Sequence, residues 1–91
     1  MADPIAPTGK LDLTAVASFH EAMGAAAQRD VTLDLGKVSL IGALCLQSCI
    51  AAARASKAAG HDFHIVNVPD VVLGQMKLMG FSPEGIAEGA E

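Results

Sequence analysis

Val31-Thr32-Leu33-Asp34-Leu35-Gly36-Lys37-Val38-Ser39-Leu40-Ile41-Gly42-Ala43-Leu44-Cys45-Leu46 is the stretch that decides how this chain is built. Its first five residues alternate apolar and polar, which predicts a strand with Val31, Leu33 and Leu35 on one buried face. Gly36-Lys37 turns the chain. Val38, Leu40 and Ile41 then drop apolar side chains back before Gly42. From Ala43 the pattern becomes helical, and a helix is expected over 43–59, stopped by Gly60. Its first half is apolar nearly all round. Its second half carries Arg54, Ser56 and Lys57 on one side, with the bases toward the favourable C-terminal end.

The segments before and after give the architecture. Residues 1–9 contain Pro4, Pro7 and Gly9 and read as an extended arm, or an irregular edge strand running into Leu11. A first helix begins near Asp12 or Thr14, either of which can cap it. Ala15, Val16, Phe19, Ala22, Met23 and Ala26 form its apolar face, and His20, Glu21 and Gln28 should meet water. Phe63-His64-Ile65-Val66 is the next strand. Pro69-Asp70 opens a third helix with Val71, Val72, Met76 and Met79 as its apolar set, closed by Gly80. Residues 82–91 read as a weakly structured tail with one turn of helix after Ser82-Pro83. Strands joined through helices imply right-handed crossovers. The fold class is α/β, with a small, mostly parallel sheet and the helices mainly on one face.

Ninety-one residues make one domain, 1–91, with 1–8 as the arm. The chain is 52% hydrophobic and 18% charged, so it is globular. A formal charge of −4, no Trp or Tyr, and no Lys/Arg cluster argue against nucleic acid. The start lacks a basic and then apolar leader, and no apolar run reaches membrane-spanning length. A cytoplasmic location without direct membrane insertion is therefore expected.

The order of motifs resembles the STAS domain family, the fold of anti-sigma factor antagonists. Gly9-Lys10-Leu11-Asp12-Leu13-Thr14-Ala15 is similar to the family's G-x-LD-x-x-TA entry into its first helix. The stretch from Val31 to Val38 is similar to its central strand. Ser39 to Leu46 occupies the place of its xFhDSSGLG loop and helix start, where h is apolar. Ala58-Ala59-Gly60 and Leu78-Met79-Gly80-Phe81 resemble its later signals. The resemblance spans Gly9 to Phe81. It implies a non-enzymatic regulatory module of a bacterial signalling pathway that binds a protein, anti-sigma-like or histidine-kinase-like. Short members of this kind are similar to domains associated with chemotaxis. An alternative is the STAS subunit of a lipid-transporting ATPase complex. Many family members switch by phosphorylation at the start of the second helix, where a phosphate's charge of roughly −1.5 to −2 reverses a docking contact. In this chain the acceptor position falls on Ala43, which has no oxygen, and the motif's Asp falls on Gly42.

The candidate partner surface is thus Ser39, Gly42, Ala43, Leu44, Leu46 and Gln47, with Leu44 or Leu46 as exposed anchors. The opposing reading packs all of these side chains into the core. A continuous apolar run cannot all face one core, because a helix turns about 100° per residue. Ser39 and Ser48 are the nearest hydroxyls left as phosphosites, although such serines more often bond local backbone. Neither a catalytic set nor a phosphate-binding loop is present. His61 and His64, three apart in a strand, point to opposite faces and make a poor metal pair. Cys45 and Cys49 share one helical face as buried filler, with no cofactor implied. A homodimer stays open.

Overall fold

The computed structural model describes residues 4–26 and 29–89. The expectation that Gln28 meets water, and the last two residues of the tail, lie outside them. Four parallel-paired strands and four helices follow in the order β1 (Gly9–Leu11), α1 (Val16–Ala26), β2 (Val31–Asp34), β3 (Val38–Ile41), α2 (Ala43–Ala58), β4 (Phe63–Val66), α3 (Asp70–Leu78) and α4 (Pro83–Ala87).

β2 pairs with β4, Val31 opposite Phe63 through Asp34 opposite Val66. β1 pairs with β3, and Ile5 bridges to Leu33, so residues 5–11 run beside 31–41. Ile5 donates its amide to the Thr32 carbonyl and accepts from Asp34 N, both at 2.8 Å. The arm therefore links the two two-stranded sheets, β1–β3 and β2–β4. Val31, Leu33 and Leu35 are buried, as the alternation predicts, while Thr32 and Asp34 are only partly covered.

β3 was legible only as apolar residues returning to the core, and its register explains why. Val38 pairs with Gly9 but Leu40 with Lys10, so Ser39 is the extra residue of a bulge. The bulge resets the alternation. Val38 and Ile41, three apart, are both buried, and Ser39 is exposed. Gly9, opposite the irregularity, takes φ 78°, a left-handed backbone that suits glycine.

α2 packs against α1, α4 and β4, and α3 packs against β3. Phe19, Met23 and Ala26 of α1 meet Cys45, Leu46, Cys49 and Ile50 of α2 in one buried cluster with the sheet residues. Each fully buried aliphatic side chain contributes roughly 1.5–3 kcal/mol. Ala22 stays exposed, so the buried face of α1 is narrower than its apolar spacing implied. α3 also differs from expectation. Val72 and Met76 are buried, but Val71, one 100° step away, is exposed, and Met79, which shares their face by spacing, is exposed because it lies past the last helical residue as the C-cap of α3.

The tail is better ordered than the sequence indicated. Ser82 caps α4 by accepting from Gly85 N at 3.0 Å, and Pro83 sits at the favoured first position. Ile86 is fully buried in the common core. Arg54 Nε donates to the Gly89 carbonyl at 2.6 Å and fixes the end of the segment on α2.

Candidate functional site

β1 and β3 both end at the start of α2. The Gly42 amide donates to the Leu11 carbonyl at 2.9 Å, tying the two strand ends together. Gly42 is then the N-cap of α2, extended at φ −94° and ψ 166°, with no side chain to cap the helix. The first helical bond runs from Leu46 N to the Gly42 carbonyl, 3.1 Å. No acid lies in the first turn of α2. This helix start is finished by backbone alone.

Of the six sequence-predicted surface residues, five reach the surface. Ser39, Ala43 and Gln47 are exposed, Gly42 is half-buried, and Leu44 is 47% exposed. Leu46 is not a surface anchor. It is 0% exposed, because two residues along a helix rotate the side chain about 200° from Leu44 and into the core. Ser39 is a bulge residue of β3 and not part of a loop. Ser48 is buried against α1. Its hydroxyl donates to the Leu44 carbonyl at 3.2 Å and shares a 2.9 Å hydrogen bond with His20 Nδ1.

The neighbouring apolar residues were not visible as a group in the sequence. Leu13 is 78% exposed and flanks Leu44 in a shallow pocket of ≈ 290 Å³ that Val16, Leu40 and Gly42 also line. Leu40 is shared with a second depression of ≈ 320 Å³ lined by Gln75, Leu78 and Met79. Leu78 is almost wholly exposed. Gln75 accepts the Ile41 amide at 2.8 Å through Oε1, which holds α3 on the free side of β3 and brings Leu78 and Met79 to this end of the sheet. Their signal was the apolar pair just before Gly80, of which Leu78 falls off the Val72–Met76 face by helical spacing and Met79 follows the last helical residue.

The described titratable groups make local contacts. Asp12 accepts from Thr14 Oγ1 at 2.6 Å and from Thr14 N at 3.0 Å, and the hydroxyl bond foremost holds its carboxyl below the usual range. Burial raises the Cys45 thiol, with a smaller push from the Asp12 charge. Burial, aided by Cys45, pushes Cys49 up to about 12. Both thiols are buried and free, as their shared helical face implied. Asp34 bridges β2 and β4. Its Oδ1 accepts from Gly36 N at 2.8 Å and its Oδ2 from Asn67 Nδ2 at 3.2 Å. His61 faces Asp30 at 3.5 Å, while His64 is exposed on β4. Among the described residues, no three His, Cys, Asp or Glu side chains gather as a metal set. No described helix is long and apolar enough to cross a membrane.

Parallel strands ending beneath a helix start, with an apolar surface at that end, define a small α/β domain. The family model described as "Mlab, STAS domain" matches residues 3–83, and the chain belongs to the STAS domain family. No curated protein matches the chain. STAS domains are generally non-catalytic, and many are regulatory protein-interaction modules.

Proposed function

We propose that this chain is a non-enzymatic regulatory module of a bacterial signalling pathway, anti-sigma factor antagonist-like or chemotaxis-associated. It docks a protein partner, anti-sigma-like or histidine-kinase-like, through Ser39, Gly42, Ala43, Leu44 and Gln47. One observation carries this reading. Leu44 stands half-exposed at an uncapped helix start, between exposed Leu13 and the Leu40 surface. Exposed apolar patches of this kind on small domains mark interaction sites.

Ala43 replaces the hydroxyl on which the usual switch depends, so the contact is set by the partner's presence and not by phosphate on residue 43. The same observation favours a second reading, a permanent structural subunit of a lipid-transporting ATPase complex, for which no switch is needed.

Affinity capture from native lysate, with mass spectrometry, tests both. The tagged chain is expected to retain one partner class that Leu44→Asp loses while keeping its circular dichroism spectrum. A kinase-like partner supports the first reading, and an ATPase or permease supports the second. A partner retained equally by Leu44→Asp contradicts both. Incubation with a captured kinase is expected to leave residues 39 and 48 unlabelled. Label at Ser39 would restore a displaced switch.

A further inference from the structure

The exposed apolar surface extends past the tip of α2, and its surroundings differ in charge from the rest of the molecule. Leu40 joins the Leu13–Leu44 pocket to Leu78 and Met79. Lys10 is the sheet partner of Leu40, and Lys77 directly precedes Leu78. Neither lysine makes a salt bridge among the described residues. Asp12 also lines the pocket; its Oδ1 accepts from Thr14, and its carboxylate, which attracts Lys10, offsets one of the two positive charges. The amides of Ala43, Leu44 and Cys45, in the first turn of α2, add partial positive charge to the same end. Three further acids lie away from it. Asp30 and Asp62 directly precede β2 and β4, at the far end of the parallel strands, and Asp70 begins α3, two turns before Leu78. A chain of net charge −4 thus puts two of its six cations beside this exposed apolar surface.

We infer that the segment received here is an acidic protein segment, an apolar ridge flanked by carboxylates, laid across Leu44, Leu40 and Leu78. This rests on the docking reading above and specifies its partner. Two other occupants fit less well. A second copy of the chain would set this cation-flanked patch against the same patch, since a two-fold contact uses one surface on both copies. An anionic bilayer is captured by clusters of about four to eight basic residues, and this surface has two.

The test is selection of a random linear peptide library on the folded chain, counter-screened on Leu44→Asp and Leu78→Asp. Leu78 is 91% exposed, so its variant keeps the fold even where Leu44→Asp disturbs it. Peptides lost on both variants are expected to carry Asp or Glu beside two or three apolar anchors. Their affinity should fall about fivefold on Lys77→Glu, and similarly on Lys10→Glu. It should also weaken as NaCl rises. Neutral or basic peptides that depend on Leu44 would overturn the inference and leave docking at this surface intact. Recovery of no peptide dependent on Leu44 or Leu78 would count against the docking reading as well. Sedimentation supplies the remaining arms: Leu44-dependent self-association, or Leu44-dependent binding to phosphatidylserine vesicles, would assign the surface to a second copy or a bilayer and overturn the acidic partner.

Discussion

At its C-terminal end α2 closes on itself. Gly60 takes φ 81°, its amide donates to the Lys57 carbonyl at 3.0 Å, and His61 N donates to the Ser56 carbonyl at 2.8 Å. This is a Schellman closure, and Lys57 adds a favourable charge in the last turn. Arg54 then pins Gly89 over the helix. At its N-terminal end the same helix begins on a glycine, has no side-chain cap and turns Leu44 partly outward. One end has its backbone satisfied from within the chain. The other leaves apolar surface and backbone amides for something else to meet. The first end is closed by the chain's own bonds, and the second is the one proposed to bind.

The largest effect separates two leucines on one turn. Leu46→Asp buries a charge at a site with no exposure and should cost more than about 4 kcal/mol, abolishing the cooperative melt. Leu44→Asp, at 47% exposure, should cost no more than about 1 kcal/mol and remove partner capture. Thermal denaturation by circular dichroism checks the pair. Equal destabilisation would erase the distinction between core and surface on this turn.

Ile86→Ala follows, with an expected loss of about 2–4 kcal/mol in urea unfolding, since α4 completes the closed end. A loss below about 0.5 kcal/mol would return residues 82–89 to the weakly structured tail that the sequence indicated.

A pH titration gives a third, smaller handle. The folded-state pKa of Cys49 lies above its unfolded value of 9.0, at about 12. Above pH 9 the unfolded chain loses this proton first, so stability present below pH 9 is lost as pH rises toward 12. The slope is roughly 1.4 kcal/mol per pH unit for one group. Cys49→Ala should flatten this alkaline arm, and an unchanged slope would contradict the burial argument. The Cys45 thiol is shifted the same way and adds to the slope at its foot.

The smallest expected effect is Gly42→Asp. The extended backbone accepts a side chain, and an added Cβ would meet only the Leu11 carbonyl at 3.5 Å. The new carboxylate caps α2 and should raise stability by a few tenths of a kcal/mol. It also sets negative charge on the surface inferred to receive an acidic segment, so binding should weaken as the melt improves.

Much of this division was legible in the sequence. Alternation at Val31, Leu33 and Leu35 placed the central strand, and Gly60 and Gly80 marked helix ends that the structure closes by Schellman bonding. β3 was hidden because the bulge at Ser39 breaks the alternation on which strand reading depends. The docking surface was half visible. An apolar start to α2 signalled exposed leucines, but spacing alone did not say which. Leu13, Leu78 and Met79 come from two other segments, and only the packing of α3 on β3 brings the latter two toward Leu40. Burial of Ile86 depends on a contact between the tail and the core that no local pattern encodes.

Site-specific photo-cross-linking measures the difference between the two ends of α2 most directly. A benzophenone side chain is placed at residue 44, at residue 78 or at exposed residue 57 of the full chain, and cells are irradiated. Discrete adducts of one common mass are expected from 44 and 78, and none of that mass from 57. An adduct from 57 with none from 44 or 78 would contradict the assignment of docking to the open end of α2.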